Sequence, residues 1–108
     1  MLDKKKFYIN GEWVNPYKEN DCEVINPCNE EPFATISLGS KEDTDLAVKA
    51  AKTAFETWKE TSKEERIDYL EKLLSIYKKR FSEMAEAISL EMGAPMDWST
   101  DEIGRAHV

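Results

Sequence analysis

Two β-hairpins followed by three or four α-helices is the fold the sequence predicts for this 108-residue chain. Three observations point to it. Asn10-Gly11 sits between apolar residues, a second extended run breaks at Asn26-Pro27, and capping signatures at Ser40 and Ser62 each open a long apolar periodicity. With 41% hydrophobic residues the chain has material for a core, and its length suits one small domain burying about two-thirds of its unfolded surface at best.

Phe7 to Val14 (FYINGEWV) places both residues of a tight turn in types that accept positive φ, the strongest short hairpin signal. A lone hairpin is marginal in water, so Phe7, Ile9, Trp13 and Val14 are expected to bury a face. Asn15-Pro16 then breaks the pairing. Val24 to Ser37 reads as a second extended pair, with Asn29 and Glu30 in its connection.

Ser40-Lys41-Glu42-Asp43 resembles a capping box, and Leu46, Ala47, Ala50, Ala51, Ala54, Phe55 and Trp58 form one apolar stripe on the helix that follows. Ser62 and Glu65 complete a second box. The face expected to be buried on that helix is Ile67, Leu70, Leu73, Leu74 and Tyr77, and Lys78, Lys79 and Arg80 complement its C-terminal dipole. Ser82 is a candidate cap for a third helix that turns Met84, Ile88 and Ala87 inward and stops at Gly93 and Pro95. A single helix over 63–92 is the alternative. Met96 onward reads as the start of another helix.

Composition excludes several functions. A formal net charge of −7 opposes nucleic-acid binding and anionic lipid, and the basic runs Lys4-Lys5-Lys6 and Lys78-Lys79-Arg80 read as a solvated start and a helix end. No apolar run is long enough to cross a bilayer or to act as a secretory signal, so the expected location is cytoplasmic. Cys22 and Cys28 read as two thiols; neither a disulfide framework nor a zinc site is expected. Neither has a paired base that would make it a nucleophile. His107, beside the terminus, reads as solvated. Glu30-Glu31, Glu64-Glu65 and Asp101-Glu102 read as solvated faces, because adjacent helical residues point apart. Trp13 and Trp58 are expected in a core or a domain contact rather than on a ligand-stacking surface.

Glu91 stands out. It lies in the last turn of a helix, where its charge opposes the dipole, and its neighbours Ala87, Ile88, Ala94 and Pro95 offer no cation. A carboxylate beside helix-end carbonyls is an oxygen-rich cage for Na⁺ or K⁺, against the plainer reading of a solvated acid.

NGEW, VINP, SKEDTDLAVKAAKTAFETW, EERIDYLEKLLSIY and LEMGAP, in that order from about Phe7 to Met96, resemble the N-terminal segment of NAD(P)-dependent aldehyde dehydrogenases. The resemblance implies an α/β parent fold of coenzyme domain, catalytic domain and oligomerisation arm. This segment would be the outer part of the coenzyme-binding domain: 7–37 its hairpins, 40–95 its helices, 96–108 a truncated helix or tail. It implies an oxidoreductase that converts aldehydes to carboxylic acids through a thiohemiacetal on cysteine and hydride transfer to NAD⁺ or NADP⁺, in a homodimer or homotetramer.

By the same resemblance the nucleophilic cysteine, glutamate base, oxyanion asparagine and dinucleotide loop lie beyond residue 108. No catalytic or cofactor-binding residue is therefore expected here, and the chain alone is expected to be inactive. A monovalent cation would lie between Glu91 and the carbonyls of Val24 and Ile25, and Trp98, Glu102 and Ala106 would flank the aldehyde entrance. Asp101 to Val108 fit the pattern least, as in a truncated chain or a frame that ends early. The rival reading is a small stand-alone interaction module, a hairpin docked on a helical hairpin. A part of an enzyme should expose apolar stripes meant for the missing sheet; a self-sufficient module should not.

Overall fold

A computed structural model describes the backbone of residues 1–105 and side chains through Asp101. The element order is β1 (Leu2–Lys4), β2 (Phe7–Ile9), β3 (Glu12–Val14), β4 (Asp21–Asn26), β5 (Glu31–Ser37), α1 (Lys41–Trp58), α2 (Lys63–Lys79), α3 (Phe81–Met92) and α4 (Met96–Arg105). The chain divides into two bodies. One holds Met1–Val24 and Pro32–Thr61; the other holds the hairpin tip Ile25–Glu31 and the chain from Ser62 onward.

In the first body, β2 and β3 pair antiparallel around Asn10 (φ 54°) and Gly11 (φ 78°), the positive values their sequence predicts. The two-residue turn sets the register Phe7↔Val14, Tyr8↔Trp13 and Ile9↔Glu12. Side chains alternate across a strand, so Phe7, Ile9 and Val14 share the half-buried face, while Trp13 goes with Tyr8 to the opposite one. Trp13 is 68% exposed, and Trp58 is also exposed, so of the two expected places, a core or a domain contact, neither residue takes the core of this chain.

The order β1-β5-β4 makes a second, three-stranded sheet. The basic N-terminus is therefore not merely a solvated start. Leu2–Lys4 pairs parallel with β5, in register Leu2↔Ala34, Asp3↔Thr35 and Lys4↔Ile36. β4 also begins earlier than the apolar run alone implies, with Leu38 N–H donating to the Asn20 carbonyl (2.8 Å) just ahead of it. Residues 27–30 connect β4 to β5. Asn26 Oδ1 accepts from Cys28 N–H (2.9 Å), and Glu30 takes φ 60° to close the turn.

α1 starts at a reciprocal capping box: Ser40 Oγ accepts from Asp43 N–H (3.3 Å), and Asp43 Oδ2 accepts from Ser40 N–H (2.9 Å). In the second body, Ser62 and Glu65 form the same box for α2 at 3.1 and 3.0 Å. The two-helix reading of residues 63–92 is the one realised. Arg80 (φ −105°, ψ 15°) leaves the helical region, closes α2 through its N–H on the Ile76 and Tyr77 carbonyls, and begins α3. The break sits at Arg80 rather than Ser82, and α3 has no side-chain cap.

The packed interior is small. Among the described residues the buried hydrophobic side chains are Ala34 (5% exposed) in the first body and Ala85 (1%) in the second. Ala85, rather than Met84 or Ala87, is the residue α3 buries, and Ile88 is half-buried. α2 buries nothing: Ile67, Leu70, Leu73 and Leu74 are exposed, and Tyr77 is half-buried. The stripe of α1 is similarly open at Leu46, Phe55 and Trp58.

Candidate functional site

Two residues that the sequence analysis named, Cys28 and Gly93, meet at the end of α3. Gly93 ends that helix at φ 70° with its N–H on the Ser89 carbonyl (2.9 Å), a left-handed stop that glycine adopts without a Cβ penalty. A second constraint acts on it. A Cβ there would lie 2.9 Å from Pro27 Cγ and 3.3 Å from Cys28 Sγ, so the hairpin tip packs directly on the glycine. Cys28 Sγ donates to the Gly93 carbonyl at 3.7 Å, and Ser89 Oγ donates to the Ala94 carbonyl at 2.7 Å. Pro95 then opens α4, its carbonyl accepting from Ser99 N–H (2.9 Å), while Thr100 Oγ1 donates to the Met96 carbonyl (2.8 Å).

Glu91 is exposed on the last turn of α3, and Ile25 is exposed in β4. Val24 is half-buried in the part of β4 that belongs to the first body. Oxygen is the only donor type that a Glu91 carboxylate and backbone carbonyls supply, which suits an alkali cation and not a thiophilic metal. Among the described residues no group of three or more His, Cys, Asp or Glu side chains forms a metal cluster. Trp98 is exposed on α4. The side chain of Glu102, and Ala106 and His107 altogether, lie outside the described residues.

Ser99 was not anticipated. It is fully buried in α4, and its Oγ has no hydrogen-bond partner among the described residues. A serine near a helix start reads as a surface or capping residue, and that hid it. Ser37 Oγ in β5 is in the same condition.

Of the clefts that lie elsewhere, one in each body stands out. In the first, a cavity of about 480 Å³ runs between the β2–β3 hairpin and α1, lined by Ile9, Val14, Tyr17, Asp43, Leu46 and Lys49 among others. Asp43, buried at its edge, holds three donors: Ser40 N–H, Ser40 Oγ (2.8 Å), and Tyr17 N–H (2.9 Å) from the loop before β4. The Ser40 backbone bond, then the Tyr17 one, hold its carboxyl below the usual carboxylate range. In the second, a cavity of about 340 Å³ lies between α2 and α3, walled by Leu73, Ile76, Tyr77, Met84 and Ala87. Arg80 grips Glu83 at its rim with Nη2 on Oε2 (2.7 Å) and Nε on Oε1 (3.1 Å), a pair whose hydrogen bonding lowers the Glu83 pKa.

Neither cleft brings a nucleophile against a base. The four glycines, at 11, 39, 93 and 104, are not spaced as a phosphate-cradling run.

Hairpins, then helices broken at Gly93 and Pro95, are an architecture shared with known enzymes. The model of the aldehyde dehydrogenase family matches residues 13–108, and the chain belongs to that family. It is 46% identical over 96 residues to 3-succinoylsemialdehyde-pyridine dehydrogenase of a Pseudomonas species, an alignment covering 89% of this chain and 20% of that protein. The crystal structure of an aldehyde dehydrogenase from Bartonella henselae superposes with a TM-score of 0.92 at 55% identity, over 94% of this chain and 21% of that one. Aldehyde dehydrogenase C of Pseudomonas syringae, solved with NAD⁺ and octanal, superposes at 0.87 with 41% identity, over 89% and 20%. The chain thus spans about one-fifth of the length of the relatives it matches.

Proposed function

We propose that residues 1–108 form the N-terminal part of the coenzyme-binding domain of an enzyme that oxidises aldehydes to carboxylic acids with NAD⁺ or NADP⁺, and that this chain has no oxidoreductase activity by itself. The observation that carries the reading is the open apolar face of α2. Ile67, Leu70, Leu73 and Leu74 stand in water, with Leu70 64% exposed, on a helix that is well capped at its start. Covering them would gain about half of the roughly 1.5–3 kcal/mol that full burial of each leucine or isoleucine brings, since they are 41% to 64% exposed. A self-sufficient module has no reason to carry such a face. The family match and the NAD⁺ bound by the Pseudomonas syringae relative support the same reading.

In this proposal the enzyme works in the cytoplasm as a homodimer or homotetramer. Glu91, with the carbonyls of Val24 and Ile25, holds a Na⁺ or K⁺ ion that offsets the like-charge clash at the end of α3. Trp98, Glu102 and Ala106 flank the aldehyde entrance.

The experiment has two arms. The purified chain, incubated with NAD⁺ or NADP⁺ and a panel of aldehydes, is expected to produce no reduced nicotinamide. A chimera carrying this chain in place of the matching fifth of the Bartonella henselae enzyme is expected to oxidise aldehydes. Turnover by the chain alone, or a folded but inactive chimera, overturns the proposal.

A further inference from the structure

β1 is an edge strand. Among the described residues it pairs with β5 alone, and Leu2, Asp3 and Lys4 are all exposed, so its other side presents unpaired backbone donors and acceptors. Beside it, within the same body, lies a cavity of about 410 Å³ lined by Asp3, Lys4, Lys5, Lys6 and Trp13. Lys5 is engaged with Asp21 (2.6 Å), and Asp3 Oδ1 accepts from Lys5 N–H (3.2 Å). Lys4 and Lys6, both exposed, extend that positive strip in a chain whose net charge is −7. Next to them stands an exposed cross-strand aromatic pair, Tyr8 and Trp13, with ring centroids 5.2 Å apart.

We propose that the outer side of β1, with Lys4, Lys6 and Trp13, is a docking site for an extended acidic peptide segment of another protein. The segment adds as a strand to β1, placing its carboxylates on Lys4 and Lys6 and an apolar side chain in the cavity against Trp13. Each part has a physical role. Edge backbone groups give length-dependent affinity, alternate side chains give selection, and tryptophan and tyrosine are the anchors that carry most binding energy at interfaces. Charge decides the occupant. A second copy docking β1 against β1 brings lysines together, and lysine on an edge strand is a standard barrier to such pairing. Phosphate backbones and anionic lipids have no peptide groups to pair with the strand edge and leave it unsatisfied. An acidic peptide meets both demands. This inference does not depend on the enzymatic reading, and either can fail without the other.

The test uses the chain with a fluorescein-labelled peptide alternating glutamate and valine, read by fluorescence anisotropy. Saturable binding is expected. It should weaken by about tenfold in Lys4→Glu/Lys6→Glu and in Trp13→Ala, and by several-fold when salt rises from about 50 to about 300 mM. The charge-reversed variant should gain affinity for a lysine–valine peptide, which separates loss of charge from loss of fold. Hydrogen-exchange protection on peptide binding should fall on residues 2–6 and 13. Undetectable binding, undiminished binding by the charge-reversed variant, or protection centred on α2 overturns the proposal. So does equal binding of a peptide N-methylated at alternate residues, because that peptide cannot add as a strand. Tighter binding of anionic vesicles or of a single-stranded oligonucleotide than of the peptide overturns it in favour of that ligand.

Discussion

Glu30 carries a backbone conformation that its side chain does not favour. At φ 60° it closes the β4–β5 connection, its N–H donating to the Asn26 carbonyl at 2.8 Å. A left-handed L-residue costs roughly 1–2 kcal/mol, and glycine avoids most of it. Glu30→Gly is therefore expected to slow hydrogen exchange of the β4 and β5 amides by about fivefold, the equivalent of about 1 kcal/mol; faster exchange would contradict this. Ser99 is a second local cost. A buried hydroxyl without a partner forfeits about 1–3 kcal/mol of hydration, so Ser99→Ala should protect the amides of α3 and α4 by a similar factor. If protection falls instead, the hydroxyl is contributing to stability. The chain does not mark either site in advance: glutamate is ordinary in a loop and serine is ordinary at a helix start. Their strain and burial follow from a turn and a packing arrangement.

At the scale of elements, capping and turn chemistry were readable because they act over three or four residues. Ser40 with Asp43, and Ser62 with Glu65, form the boxes their spacing implies, and Asn10-Gly11 makes the hairpin turn. The register of that hairpin was equally available. A two-residue turn pairs Tyr8 with Trp13 and so turns the tryptophan away from Phe7 and Val14. Strand β1 was not readable, because its partner β5 lies some thirty positions along the chain and three residues, Leu2-Asp3-Lys4, are too few to carry a period. Asp43 also joins elements distant in sequence, since its carboxylate caps α1 and accepts from Tyr17 N–H. Its folded pKa lies below the ordinary 3.8. The stability it contributes is therefore complete above the unfolded value and is lost as pH falls through the folded one. Protection of the first turn of α1 should accordingly decline as pH drops below about 4, and the decline should flatten in Asp43→Asn. An unchanged slope would place the acid sensitivity elsewhere.

At the scale of the whole molecule, the notable property is how little apolar surface is enclosed. The stripes on α1 and α2 have the periodicity of buried faces, yet Leu46, Phe55, Leu70 and Leu74 are exposed. Leu70→Glu/Leu74→Glu should leave the exchange protection of α2 within about 0.5 kcal/mol of the wild type, since both side chains are exposed. The same substitution should reduce binding of a hydrophobic dye, and in a chimera with a longer relative it should abolish assembly. A large loss of α2 protection in the isolated chain would mean that these leucines are already packed.

The sequence by itself determined the order of hairpins and helices, their capped starts, the helix stop at Gly93, and membership of the aldehyde dehydrogenase family. Each of these rests on short-range chemistry or on a pattern repeated along one element. Only the tertiary structure decided the rest: the parallel seat of β1 on β5, the break at Arg80, the contact that forbids a side chain at Gly93, and the emptiness around the apolar stripes. Periodicity says which face of a helix repels water, but burial also requires a second surface, and among the described residues α3 covers α2 only enough to half-bury Tyr77.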